Sequence, residues 1–146
     1  MKLIKIRRFI LTPSSVKLTL IEVIIISLYV RILIATLPFE DLASLMGSEG
    51  VVDHNPLNFV ELEKVKLVSS SIKNSQKIKC FTTSCYVQSL TGKIMLKRRK
   101  IRSTLFLGFR KDCSGKYLGH SWLKSGVYVV SGGNNLTIYD IHSYFT

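Results

Sequence analysis

Acidic side chains are the scarcest chemistry in this sequence. Nine Asp and Glu stand against 21 Lys and Arg, giving a formal net charge of +12 over 146 residues. Such a balance points to an acidic partner, a nucleic acid or an anionic membrane surface. Cysteines are few and odd in number: Cys80, Cys85 and Cys113. Their positions have no metal-ligand spacing, which argues against a disulfide framework and for a reducing, cytoplasmic compartment. No metal and no cofactor are expected. Internal repeats and low-complexity runs are absent. No Gly-rich or aromatic recognition motif accompanies the positive charge, so no nucleic-acid partner is expected.

A long uncharged apolar run is also lacking. The most apolar stretch, within residues 18–37, is interrupted by Glu22 and Arg31. The uncharged run is therefore shorter than the roughly 18 residues that argue for a membrane span. Basic residues precede it as in a signal peptide. Arg31, however, falls inside what would be the apolar region, and no small-x-small cleavage site follows. Thr12-Pro13-Ser14-Ser15 reads as a helix start. The segment is expected to be a buried or partner-facing helix. The alternative is peripheral association of residues 1–37 with the inner face of a membrane.

What is present suggests an α+β chain with a helix packed on an antiparallel sheet. Residues 1–47 form a helical N-terminal part ended by Gly47, and residues 48–57 a linker. A helix-like pattern follows over 59–72 and a polar, turn-rich stretch over 69–79. Residues 80–146 carry one helix from Cys85, with Val87, Leu90, Ile94 and Ile101 on a stripe. Strands are expected near 103–110, 117–124, 127–131 and 136–141. The densest basic cluster is Lys93, Lys97, Arg98, Arg99, Lys100 and Arg102. It is either a solvated helix face or a surface that steers a peptide or protein partner.

Within that frame Cys85 and His120 are the candidate reacting pair. Cys85 follows the small polar run Thr82-Thr83-Ser84 and opens a helix, and His120 lies in a strand-like stretch before Trp122. Only the thiolate attacks, and a free thiol is a few per cent ionised near neutral pH. Unpaired N–H groups and the positive end of a helix favour the ionised form. An imidazole can take the proton and return it to a leaving amine. The plainer reading makes Cys85 a small buried hydrophobe and His120 a hydrogen-bonded strand residue. Cys80 and Cys113 read as structural or incidental, and His54 and His142 lie in loop-like or terminal contexts. Trp122 shares the strand face of His120 and is expected in the core or as a cleft wall.

The pattern Cys85, Ser89, Leu90, Leu96, Arg98-Arg99, Ile101, Ser103, Leu105, Gly108, then His120 and Trp122, resembles the transglutaminase-like cysteine proteases of lasso-peptide biosynthesis. Arg7-Arg8-Phe9-Ile10, the Pro-Ser turn, Leu37-Pro38-Phe39 and the closing Leu42 to Gly47 segment are similar to the start of the same proteins. The likeness thus covers nearly the whole chain and is thinnest over residues 48–79. Lys100 departs from it, where a Gly is usual before the Ile. So does Ser121, where Ala is usual between His and Trp. Both read as tolerable surface or small-residue changes.

The resemblance implies a transglutaminase-like, papain-like core with a helical N-terminal part. It also implies a peptidase that removes the leader of a ribosomally made precursor, with Cys85 as nucleophile and His120 as base. Implied partners are the precursor peptide and an ATP-dependent lasso cyclase. A leader-recognition protein is implied too, expected as a separate polypeptide because the chain leaves no room for one. The family's third catalytic residue is an Asp or Asn about a dozen positions after the His. Here Asn134 is the candidate, in the manner of papain-like enzymes. Ser131 is closer by spacing, while Asp112 falls too early and Asp140 too late. Without an Asp in that place, a non-catalytic scaffold of the same maturation complex remains the rival reading. A basic nucleic-acid or membrane-surface binding module is a third, suggested by charge alone.

Overall fold

The computed structural model describes residues 13–50, 52–78 and 81–146. Cys80, Thr12 and the Arg7-Arg8-Phe9-Ile10 segment lie outside them. Among the described residues, four helices and four strands follow one another as α1 (Ser14–Thr36), α2 (Phe39–Met46), α3 (Phe59–Ser75), α4 (Cys85–Arg98), β1 (Thr104–Lys111), β2 (Tyr117–Ser125), β3 (Tyr128–Ser131) and β4 (Asp140–Phe145). The strands form one antiparallel sheet in the order β3-β2-β1-β4. This is an α+β arrangement.

Local chemistry sets the helix boundaries. α1 is rich in Val and Ile, which do not favour helix by themselves. Its buried positions Thr19, Val23, Ile26, Ser27 and Val30 recur at helical spacing and pack on α3 and α4. The helix stops at Leu37, which is extended because Pro38 follows. α3 begins with a reciprocal cap, Asn58 accepting from the Glu61 N–H and Glu61 from the Asn58 N–H. It runs to Ser75, through the stretch expected to be turn-rich, because Ser71, Ile72 and Ser75 are buried on the same face as Val65 and Val68. α4 is capped by Ser84, whose hydroxyl accepts from the Val87 N–H.

One core cluster joins all these elements, from Val23 and Val30 through Val65, Leu90 and Leu96 to Leu105, Leu123 and Phe145. Leu105 and Leu123 are partners across β1 and β2 and face the helices. By strand alternation the next pair, Phe106 and Trp122, points to the opposite face, where their rings stack at 5.4 Å. Trp122 is accordingly buried.

The last strand lies later than expected. Asn135 adopts a left-handed conformation, and the chain then makes a single 3-10 turn over Leu136–Ile138. Pairing with β1 begins only at Asp140, opposite Phe109. The first residues of the expected linker also differ, because Ser48 and Gly50 bond the main chain of Thr146 and Tyr144 beside β4. That coverage shields a free sheet edge.

The two departures from the family pattern have physical consequences. Lys100 sits at φ +58, the left-handed region in which a glycine is free of strain. Ser121 is the small-residue change: it is buried, and its hydroxyl has no hydrogen-bond partner among the described residues. Removing an unsatisfied buried hydroxyl relieves its desolvation cost, so Ser121→Ala should stabilise the fold by about 1 kcal/mol in chemical denaturation.

Lys93 is buried midway along α4, where its ammonium donates to the Ser103 and Phe145 carbonyls. Burial, aided by the charge of Lys97, lowers its pKa from 10.5 to about 8. Between those values the unfolded chain keeps the proton that the folded chain has released. Stability therefore rises with pH across that window, by an amount on the order of 3 kcal/mol. We expect the difference in unfolding free energy between the unsubstituted protein and Lys93→Met to grow in favour of the former from pH 8 to 10. A flat difference would refute the assignment.

Candidate active site

The segment entering α4 is held from three sides. Thr83 donates its N–H to the Gln76 side-chain oxygen at 2.8 Å and accepts from the Gln76 amide at its hydroxyl at 2.9 Å. Its carbonyl accepts from the Gln88 amide at 2.9 Å. From α1, Arg31 donates to the Thr82 carbonyl and lies over the Phe81 ring. Neither glutamine was singled out by the sequence; their signal, polar side chains flanking Thr82-Thr83-Ser84, becomes meaningful only in three dimensions. Arg31, which interrupts the apolar run of α1, fastens this entry segment.

Cys85 is consequently fixed at the first position of α4, partly exposed and unpaired with another cysteine. The Val87 and Gln88 N–H groups are taken by the hydroxyl and carbonyl of Ser84. The N–H groups of Cys85 and Tyr86 have no acceptor within the helix, the kind of donor that a developing oxyanion at the helix start would use.

His120 is on β2, opposite Gly108 of β1. Its ring stacks on Tyr139 at 4.6 Å and on Trp122 at 5.9 Å. Its Nε2 is 2.8 Å from the Gly132 carbonyl oxygen. A carbonyl can only accept, so Nε2 carries the proton and Nδ1 is left as the basic nitrogen.

Cys85, His120, Ser131 and Asn134 line one open cavity of about 440 Å³, together with Gln76 and Gln88. No hydrogen bond joins the thiol to the imidazole. Of the two candidates for the orienting role, Ser131 spends its hydroxyl on Ser89 of α4, at 3.1 Å. Asn134 reaches the cavity wall, but the bonded nitrogen of the imidazole goes to the Gly132 main chain instead. Main-chain carbonyls leave no trace in residue type, so sequence reading had no means of finding this contact. Asp112 is occupied in the β1–β2 turn, accepting from Ser114 and Lys116, and these bonds lower its pKa. Asp140 lies at the start of β4 and is not part of the cavity. Among the described residues, no three His, Cys, Asp or Glu side chains are grouped to hold a metal.

A family model described as the Transglutaminase-like superfamily matches residues 50–141, which include α3, α4, β1, β2, β3 and both cavity residues Cys85 and His120. The chain belongs to the transglutaminase-like superfamily. That superfamily includes cysteine peptidases. The matched residues begin after α1 and α2. Neither a curated protein nor a solved structure matches the chain.

Proposed function

We propose that the protein is a cysteine peptidase that removes the leader from a lasso-type precursor peptide in the cytoplasm. The observation that carries this reading is a cavity that holds both a helix-start thiol and an imidazole whose Nε2 is already committed to Gly132. Cys85 attacks the scissile carbonyl carbon while Nδ1 of His120 takes the thiol proton. The oxyanion is met by the N–H groups of Cys85 and Tyr86 at the start of α4. Collapse breaks the C–N bond, His120 returns the proton to the leaving amine, and a thioester remains. His120 then deprotonates water, which hydrolyses the thioester and releases the carboxyl end of the leader. Partners of this step are the precursor, a separate leader-recognition protein and an ATP-dependent cyclase that uses the freed amine.

A scaffold without chemistry is favoured by one observation, the absence of a thiol–imidazole hydrogen bond. Catalytic bonds of this kind are often long without substrate and tighten when it enters. Mass spectrometry of a precursor, incubated with the leader-recognition protein and either this chain or its Cys85→Ala form, separates the readings. Cleavage at one bond that vanishes in the variant supports the peptidase. Binding of the precursor without cleavage overturns it.

A further inference from the structure

α1 has a second apolar face that no other described element covers. Leu18, Ile21, Ile25, Leu28, Tyr29 and Ile32 are between 47 and 66% exposed. At 3.6 residues per turn they form a strip about 100° wide and about 21 Å long, opposite the buried stripe of Val23, Ile26 and Val30. By length and a mean hydropathy of 2.3 in its most apolar window, α1 would suffice to cross a membrane. Its packing indicates a different disposition. The inner face is sealed on α3 and α4, and Ser27 hydrogen-bonds Thr91 of α4 at 3.2 Å. Both ionised residues within the apolar stretch sit on its flanks and are held by the protein. Glu22 pairs with Arg98 and Arg99, and Arg31 holds Thr82. The outer strip itself carries no charge.

We infer that this strip is a membrane-binding surface, lying in the plane of an anionic bilayer with Leu18, Ile21, Ile25, Leu28, Tyr29 and Ile32 in the lipid interface. Charge selects this occupant. Lys2, Lys5, Arg7 and Arg8 precede α1 in sequence, and Arg98 and Arg99 of the basic run 97–100 meet its flank at Glu22. A chain of net charge +12 repels a second copy of itself at such a face, whereas anionic headgroups attract it. An apolar helix face bordered by basic residues is the combination that binds bilayer surfaces.

The test is co-sedimentation of the full chain with vesicles of equal parts phosphatidylcholine and phosphatidylglycerol, and with phosphatidylcholine alone. The unsubstituted protein and Cys85→Ala should both sediment with the anionic vesicles, so the result stands apart from the peptidase reading. Ile25→Glu/Ile32→Glu should weaken that binding by about tenfold or more, because two charges then face the lipid. Thermal unfolding confirms that the variant is folded. A Tyr29→Trp variant gives a second readout: its fluorescence emission should shift to the blue on adding anionic vesicles. The inference is overturned if the unsubstituted protein stays in solution, if the double Glu variant binds equally well, or if the emission of Tyr29→Trp does not move. Concentration-dependent dimerisation abolished by the same Glu pair, without vesicle binding, would overturn it in favour of a second copy on the strip.

Discussion

Replacing Cys85 by Ala should abolish peptide cleavage, with a loss of about 10⁴-fold or more, while leaving the fold intact. The thiol is partly exposed, and the entry segment is held by Gln76, Gln88 and Arg31 rather than by Cys85 itself. Nothing structural is lost with the sulfur. His120→Ala should cost about 10²–10⁴-fold, the range of a general base, and should flatten the dependence of the rate on pH. Cys113, exposed and not among the residues that line the cavity, serves as the control, and Cys113→Ala should cleave normally. Asn134→Ala is the informative companion. If the ring is oriented by Gly132, removing the Asn134 amide should change the rate by no more than about threefold, as for a substitution that breaks no bond. A large loss in Asn134→Ala would instead show that the amide engages the imidazole once substrate is bound. Initial rates from chromatography of the cleaved leader discriminate all of these.

How far residue types alone could reach is decided by which atoms do the holding. The helix from Cys85 was legible because Ser84 is a cap and Val87 and Leu90 follow at helical spacing; these are side-chain signals. The strands of β1 and β2 were legible from β-branched and aromatic runs. Residue types put the start of β4 too early, because Leu136, Thr137 and Ile138 look like strand. The left-handed turn at Asn135 forces a 3-10 turn there, and pairing waits for Asp140. The outer face of α1 was also hidden, since an apolar helix gives no sign of which of its two faces the fold will cover. Here the choice fell to α3 and α4, which take Val23, Ile26 and Val30 and leave Ile25 and Ile32 outside. In the cavity the thiol and imidazole are candidates by residue type, whereas the Gly132 carbonyl that meets Nε2 of His120 has no signature in residue type. A search for a carboxylate or amide after His120 looks for side chains, and the acceptor present is a carbonyl.

That carbonyl makes Gly132 the second position of large expected effect. Gly132 stands at φ +70, where a side chain is strained whatever the space around it. A Cβ there would lie 2.3 Å from the Ser121 carbonyl oxygen and 2.9 Å from the Trp122 Cα, both main-chain atoms of β2 that cannot step aside. Gly132→Ala must therefore move the segment after β3. The atom that moves with it is the oxygen holding Nε2 of His120. Misplacing a catalytic group by about 1 Å costs on the order of 10²-fold, so kcat should fall by about that factor. The backbone strain should also lower stability by about 1–3 kcal/mol. Two measurements separate misplacement from simple unfolding. Circular dichroism below the melting temperature should be unchanged. Iodoacetamide should still alkylate Cys85, since the entry segment is fastened independently. The ring itself reports on the contact: in the unsubstituted protein the His120 Nε2 proton should be visible by NMR and protected from exchange, and in Gly132→Ala it should be lost. A folded Gly132→Ala protein that cleaves at the normal rate would sink the assignment of Gly132 as the residue that positions His120, and would return that role to Asn134.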